Sequence, residues 1–473
     1  MAALRELPSA PAAVIVTGAM AVAALAYETA GGRLRLLEAL AALALAGAVL
    51  RWTRWAFVAW LVVVASVLPQ RMGSLSAGGA RSDVGEALGL LIIAIVVLRW
   101  ALDDRLRRPG LAWPFLTLLA AGAVGAAVTA SNGDPHTVWL AALKTLALYL
   151  IVPAAVAIHR TAADVDALER WLLRIAVVGS SLSLVSVAFG LGGPSASHTV
   201  TINDMAVDAN RARPAVLHLV VLALLLLIAR VASDRMTWRR ALAIGLFTTS
   251  LALSFTRSTW VPAVAAILLF VIGRPGRRVA LRGIRTGVVV AVLATAAIGA
   301  ASTGWLGPSM QAVVARAETL GTGDQLTQSL SYQHRLDENT AAQHALDGHR
   351  VLGIGLGEPY GVVTVERDPM TGTTSREPQK FIHNSYLGTW LGMGLLGLLA
   401  WALLAVGVTR RAWQARRDHS PAGDRSLAAA CALLAIGIEA MFQTDLFFRP
   451  VIATVACAVV FLLGVPRESE LLR

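Results

Sequence analysis

Residues 381–397 read FIHNSYLGTWLGMGLLG, with His383 and Asn384 where a long apolar run begins. Histidine is the side chain whose ordinary titration lies closest to neutrality. At the mouth of a membrane helix it suits a general base working at the water–lipid boundary. Asn384 fits either of two roles, orienting the imidazole or capping the helix. Farther along, Gly394 and Gly397 are spaced to share one helix face, where small residues let a neighbouring backbone come close. The bland alternative is an interfacial histidine above a glycine-lined packing face.

A second set of side chains suits anion binding. Arg257 lies in LSFTRSTW, Arg335 in SYQHRLDENTAAQHAL, and Arg211 and Arg213 in DANRARP. A guanidinium held near a membrane surface suits bidentate recognition of phosphate. Taken singly, each also fits an arginine that reaches lipid headgroups or caps a helix C-terminus. Lys144, in WLAALKTLALYL, sits several residues into an apolar span. An ammonium there needs a cavity, a partner or a route back to the interface.

These residues need a scaffold, and composition defines it. The chain has 473 residues, 56% hydrophobic and 15% charged, with mean hydropathy +0.65. A soluble domain carries roughly a quarter charged residues, so the class is an all-α polytopic membrane protein. Apolar runs of about 20 residues, enough to cross a bilayer, recur near 12–28, 34–50, 54–70, 84–101, 111–130, 137–158, 171–192, 214–231, 239–255, 258–273, 285–303, 383–408, 425–442 and 449–465. About 12–14 transmembrane helices are expected, with one large extracytoplasmic loop. The first apolar run lacks a small-residue cleavage site and reads as a retained span. Cys431 and Cys457 fall inside apolar spans and imply no disulfide framework.

The arginines cluster in alternate loops, for example Arg105, Arg107 and Arg108, then Arg235, Arg239 and Arg240, then Arg410, Arg411, Arg416 and Arg417. By the positive-inside rule both termini are cytoplasmic. The net charge of +12 is thereby read as topology, not as a nucleic-acid surface. Residues 1–303 hold about 11 transmembrane helices, and 304–382 form an extracytoplasmic loop with short helices. Residues 383–465 form the last three spans, and 466–473 a cytoplasmic tail.

Within the loop, SMQAVVARAETL and SYQHRLDENTAAQHALDGH read as helical, VLGIGLGEPYG as turns, and ERDPMTGTTSREPQK as polar loop. The GIGLG glycines have no βαβ context and read as turns, not as a nucleotide fingerprint. His344 and His349 miss the spacing that stacks ligands on a helix, and no Cys or carboxylate cluster joins them with His334. No metal ion or cofactor is expected.

The pattern His383-Asn384, nine residues, then Gly394-x-x-Gly397 resembles the signature of the O-antigen ligase and polymerase superfamily. Thr256-Arg257-Ser258 is similar to a Ser-Arg-Gly pattern at a helix end in that family. Arg335, upstream of HRVLGIGLG, is similar to its outer-loop arginine, followed there by a stretch like His-Pro-Leu-x-Gly-x-Gly-x-Gly. The resemblance covers about residues 200–465. The departures are Thr256, Ser258 and Arg350-Val351, with a rather short outer loop; they leave the acceptor open.

The resemblance implies glycosyl transfer at the outer face of a bacterial inner membrane. The donor is a glycan on undecaprenyl diphosphate and the acceptor a saccharide hydroxyl, on lipid A core or another envelope glycan. It implies catalytic roles for His383, Arg257 and Arg335. Arg211, Arg213, Lys144 and Asn384 are candidates for holding the diphosphate or acceptor. A ligase is the leading expectation, a polysaccharide polymerase the alternative, and a transporter or flippase the reading from another class. A transporter would show inverted halves with matching broken helices, and the chain shows no such repeat.

Overall fold

The computed structural model describes residues 45–65, 74–77, 80–102, 109–133, 136–189, 197–202, 205–210, 217–254, 256–274, 330–367, 374–380, 382–443, 446 and 449–463. The expected spans near 12–28 and 285–303, most of 34–50, and Arg211 and Arg213 lie outside these residues, as does the SMQAVVARAETL stretch. The elements in order are α1 (Leu45–Arg51), α2 (Thr53–Val64), β1 (Ser74–Ala77), β2 (Ala80–Asp83), α3 (Val84–Leu102), α4 (Pro109–Ser131) and α5 (His136–Ala147). A 3-10 turn, Leu148–Leu150, joins α5 to α6 (Ile151–Ile158). Then come α7 (Ala162–Phe189), β3 (Ser197–Ile202), β4 (Met205–Asn210), α8 (Leu217–Ser233), α9 (Trp238–Ala252), α10 (Arg257–Gly273) and α11 (Leu330–Ala345). The chain closes with β5 (Val363–Arg367), β6 (Thr374–Pro378), α12 (Ser385–Arg417), α13 (Pro421–Glu439) and α14 (Arg449–Leu463).

The architecture is the all-α membrane bundle expected from composition, with three short antiparallel hairpins beside it. Among the described residues, five helices are long and apolar enough to cross a membrane, or six if α1 and α2 form one bent span. The axis turns by 114° between α1 and α2, the geometry of a broken span or a re-entrant turn. The polar stretch expected as loop supplies β6 and the last two residues of β5, with Val363 opposite Pro378 and Arg367 opposite Thr374. The helix expected around SYQHRLDENTAAQHA is α11.

Burial follows hydropathy. Helices α8 and α14 are apolar all round, and nearly every residue from Leu219 to Ala229 and from Val451 to Leu462 is buried, so these two form the centre. Helix α12 keeps Leu395, Leu396, Leu399, Leu403 and Val406 exposed, as a lipid-facing stripe requires.

Ion pairs tie the helices at their ends. Arg230 holds Glu169 at 2.6 Å, and Arg425 holds both Asp166 (2.6 Å) and Glu169 (3.0 Å). Arg274 holds Asp424 at 2.6 Å, and Arg54 pairs with Asp164. All of these lie at the end of the bundle opposite His383. At the His383 end, Glu86 of α3 takes Lys144 of α5 (2.6 Å) and Arg449 of α14 (2.8 Å).

The feature that positions the site is a break in α12. Gly394 has φ 62 and ψ −157, a region reserved for glycine, and the helix kinks there. A break at membrane depth strands backbone groups unless protein satisfies them. Here the loop of residues 351–361 does so. Leu395 N–H donates to the Val351 carbonyl (3.0 Å), while the Leu391 carbonyl accepts from Ile354 N–H (2.7 Å) and Gly355 N–H (3.3 Å). The loop also ties to α4: Leu356 N–H donates to the Gly125 carbonyl, and Thr129 donates to the Leu356 carbonyl at 3.0 Å.

Thus Gly394 does admit a neighbouring backbone: a Cβ there would overlap the Val351 carbonyl. Gly397 behaves differently from the expected shared face. The break disrupts the register, and Gly397 packs against Thr389 and Met393 of its own helix. The GIGLG turns are therefore a plug that mends a broken helix. Among them Gly353 adopts φ 76, and a Cβ there would meet the Leu391 carbonyl.

Candidate active site

Docking the loop brings α11 over the start of α12. Beneath it a small apolar cluster closes, with Ala342, Leu346, Tyr360, Ile382, Leu387 and Leu391 buried. Glu338 of α11 is fully buried, a placement a carboxylate tolerates only when hydrogen bonds satisfy it. Its oxygens lie 3.0 Å each from His383 Nδ1, and Oε2 accepts from His383 N–H at 3.2 Å. Gln379 Nε2 donates to Oε1 at 2.6 Å, and His334 Nε2 lies 3.1 Å from the same oxygen.

Burial pushes the Glu338 carboxyl upward, but the bonds from His383 and Gln379 outweigh it, and its titration lies below the ordinary glutamate value. The carboxylate is therefore ionised at neutral pH. Burial, reinforced by this negative charge, pushes the Tyr360 hydroxyl upward, so Tyr360 stays protonated. An ionised acceptor at Nδ1 fixes the neutral imidazole with its proton on Nδ1. Nε2 then carries the lone pair, on a side chain one-third exposed (33%). A carboxylate-oriented imidazole at a water boundary is the arrangement a general base needs.

Asn384 takes the capping role. Its Oδ1 accepts from the N–H groups of Tyr386 and Leu387, both at 3.1 Å, at the N-cap of α12. Asn384→Ala is expected to cost about 1 kcal/mol of stability, while Asn384→Ser keeps most of it. Thermal unfolding of the purified protein in detergent checks this.

Arg335 lies half-buried on α11, three residues before Glu338, and residues three apart share a helix face. Arg257 is the first residue of α10. The turn before it is pinned by the hydroxyls that flank it in sequence: Thr256 N–H donates to Ser254 Oγ, and Thr256 Oγ1 donates to the Ser254 carbonyl. Ser258 Oγ accepts from Gln443 Nε2 at 2.6 Å, and the Gln443 carbonyl accepts from both Ser385 N–H (3.2 Å) and Ser385 Oγ (2.6 Å). The turns bearing Arg257 and His383 are thus linked through one residue. Lys144 has found a partner, Glu86, at the same bundle end.

The sequence did not single out Glu338, Gln379 or Gln443. His334 and Glu338 show i, i+4 spacing, but nothing local ties that pair to a histidine 45 positions away. Glu439 is the last residue of α13. It is buried on α13, accepts from Thr259, and lies 3.1 Å from His218 Nε2 of α8.

The fold is that of a multi-pass membrane protein, and the Glu338–His383 pair lies at one end of its helix bundle. Residues 242–402 match the family described as O-Antigen ligase, a match that supports membership of the O-antigen ligase superfamily. That segment contains Arg257, Arg335, Glu338, His383 and the Gly394 break. No curated protein matches the chain. The family match supports a membrane enzyme of the ligase or polymerase type, and the family implies lipid-linked glycan and saccharide substrates.

Proposed function

We propose that the protein transfers a glycan from undecaprenyl diphosphate to a saccharide hydroxyl at the outer face of the inner membrane, with both termini cytoplasmic. The observation that carries this reading is the buried Glu338 carboxylate on His383 Nδ1, at a helix mouth, within the matched family segment. His383 Nε2 takes the proton from the acceptor hydroxyl. The acceptor oxygen bonds to the anomeric carbon as the bond from that carbon to the diphosphate oxygen breaks. The leaving group is already an anion, so it calls for cationic stabilisation and no general acid. Arg257 and Arg335 supply that charge. Lys144, Arg211 and Arg213 are secondary candidates, with Lys144 committed to Glu86 at rest. The chemistry calls for no metal, because proton acceptor and positive charge both come from side chains.

Arg257→Ala is expected to lower kcat by about 10²–10³-fold, with Arg257→Lys recovering part of it, since a lysine keeps the charge but loses the bidentate fork. Donor turnover by inserted protein in proteoliposomes checks this; full activity in the alanine variant removes the assigned role. A deletion strain separates the two enzymatic readings. Long polymer stranded on the lipid carrier marks a ligase, whereas single repeat units still passed to the acceptor mark a polymerase. Unchanged glycan on both carrier and acceptor argues against either.

A further inference from the structure

We propose that Gln443 is a positioning residue that holds Arg257 in register with His383, an inference that rests on the reading of those two residues as partners in transfer. Arg257 and His383 come from helices more than a hundred residues apart, and α10 and α12 have no hydrogen bond between them among those described above. What joins them is the chain just beyond α13. The Gln443 side chain donates to Ser258, next to Arg257, at 2.6 Å. Its main-chain carbonyl accepts from the amide and hydroxyl of Ser385, two residues beyond His383.

The first turn of α10 is locked a second time one turn earlier in α13. There buried Glu439 accepts from Thr259 and faces His218 of α8 across 3.1 Å. Helix α13 also contacts α12 through Tyr386, whose hydroxyl donates to the Gly437 carbonyl at 2.8 Å. The end of α13 is therefore a bracket with one arm on each reactive turn. The arm to Ser258 is a single side-chain bond, whereas the arm to Ser385 is backbone. Removing the Gln443 side chain should loosen the start of α10 at Arg257, while Thr259 keeps the turn tied to Glu439, and should leave the His383 helix start in place. Misplacement of about 1 Å in a reacting constellation costs on the order of 10²-fold.

The test uses full-length protein in proteoliposomes. Gln443→Ala and Ser258→Ala are each expected to lower kcat about tenfold with little change in donor KM, and the double variant to lose no more than either single. Gln443→Glu, whose carboxylate accepts from the Ser258 hydroxyl, should recover most of the rate. In an Arg257→Ala background, Gln443→Ala should cost nothing further. Additive losses, or a loss in Gln443→Ala that persists without Arg257, would overturn the proposal. Full activity in both single variants would overturn it too. Full activity in Arg257→Ala alone would instead sink the underlying reading. A folding defect in Gln443→Ala would appear as reduced thermal stability, and Ser258→Ala then carries the same test with one oxygen removed.

Discussion

Glu338→Gln is expected to slow transfer by about 10²-fold or more, approaching the 10²–10⁴-fold loss expected for His383→Ala. The two effects share one cause. The ionised carboxylate accepts from His383 Nδ1 and so leaves the lone pair on Nε2. A glutamine amide has one acceptor oxygen and a donor nitrogen, and Gln379 already donates to Glu338 Oε1 at 2.6 Å. The imidazole would then meet a donor or turn, and its basic nitrogen would no longer face the acceptor. The side-chain volume is nearly unchanged, so thermal stability should fall far less than rate. The signature is a drop in kcat with donor KM held, and no further loss when Glu338→Gln is added to His383→Ala. Additive losses would mean that Glu338 acts independently of the histidine.

The same pair makes a pH prediction. Glu338 titrates below its ordinary value in the folded protein. Its contribution to loop docking is therefore fully present above the ordinary glutamate range and is lost as pH falls through the lowered value. Protease susceptibility of the segment around α11 should rise in acid and stay flat from neutral pH upward. In Glu338→Gln the acid-induced rise should be absent.

Much of this molecule was legible in the sequence because the signals are local. Hydropathy placed α3 at 84–101 against Val84–Leu102, and α14 at 449–465 against Arg449–Leu463. A histidine–asparagine pair at a span mouth pointed to His383 and Asn384, and the hydroxyls around Arg257 proved to pin its turn. The illegible parts are those in which one local pattern hides a long-range partner. Gly394 and Gly397 look like one face of an unbroken helix. Only the loop 40 residues upstream shows why Gly394 breaks it, because that loop replaces the lost backbone bonds. Glu338 reads as one acid in a polar helix, and its burial depends on α11 lying over α12. Gln443 is one polar residue between two spans, yet its partner is 185 positions away. The polar stretch ERDPMTGTTSREPQK carries no apolar alternation, yet it supplies β6 and the end of β5, whose Val363 and Val365 lie just upstream of it, since cross-strand bonds need no apolar face.

Gly394→Ala should be strongly damaging although it adds a single methyl group away from the reacting groups. The residue sits at φ 62, ψ −157, where a side chain costs about 1–3 kcal/mol from backbone strain alone. The new Cβ would also overlap the Val351 carbonyl and press on Leu352, so relaxing into a regular helix is the easier route. A regular α12 pairs Leu395 N–H with the Leu391 carbonyl, the two groups the loop now occupies. Val351, Ile354 and Gly355 would lose their partners together, and the loop would leave its seat. Helix α11 is anchored through that loop, so Glu338 would part from His383 and the rate should fall about as far as in Glu338→Gln. Gly407→Ala is the control. It lies on the same helix with nothing within 4 Å of its new methyl group, and it should be neutral or stabilising by up to about 1 kcal/mol. A disulfide pair introduced at Val351 and Leu395 reads the docking directly. Crosslinking should be efficient in the parent and in Gly407→Ala, and strongly reduced in Gly394→Ala. Equal crosslinking in Gly394→Ala with activity lost would show that the kink itself, not the docked loop, is what the site requires.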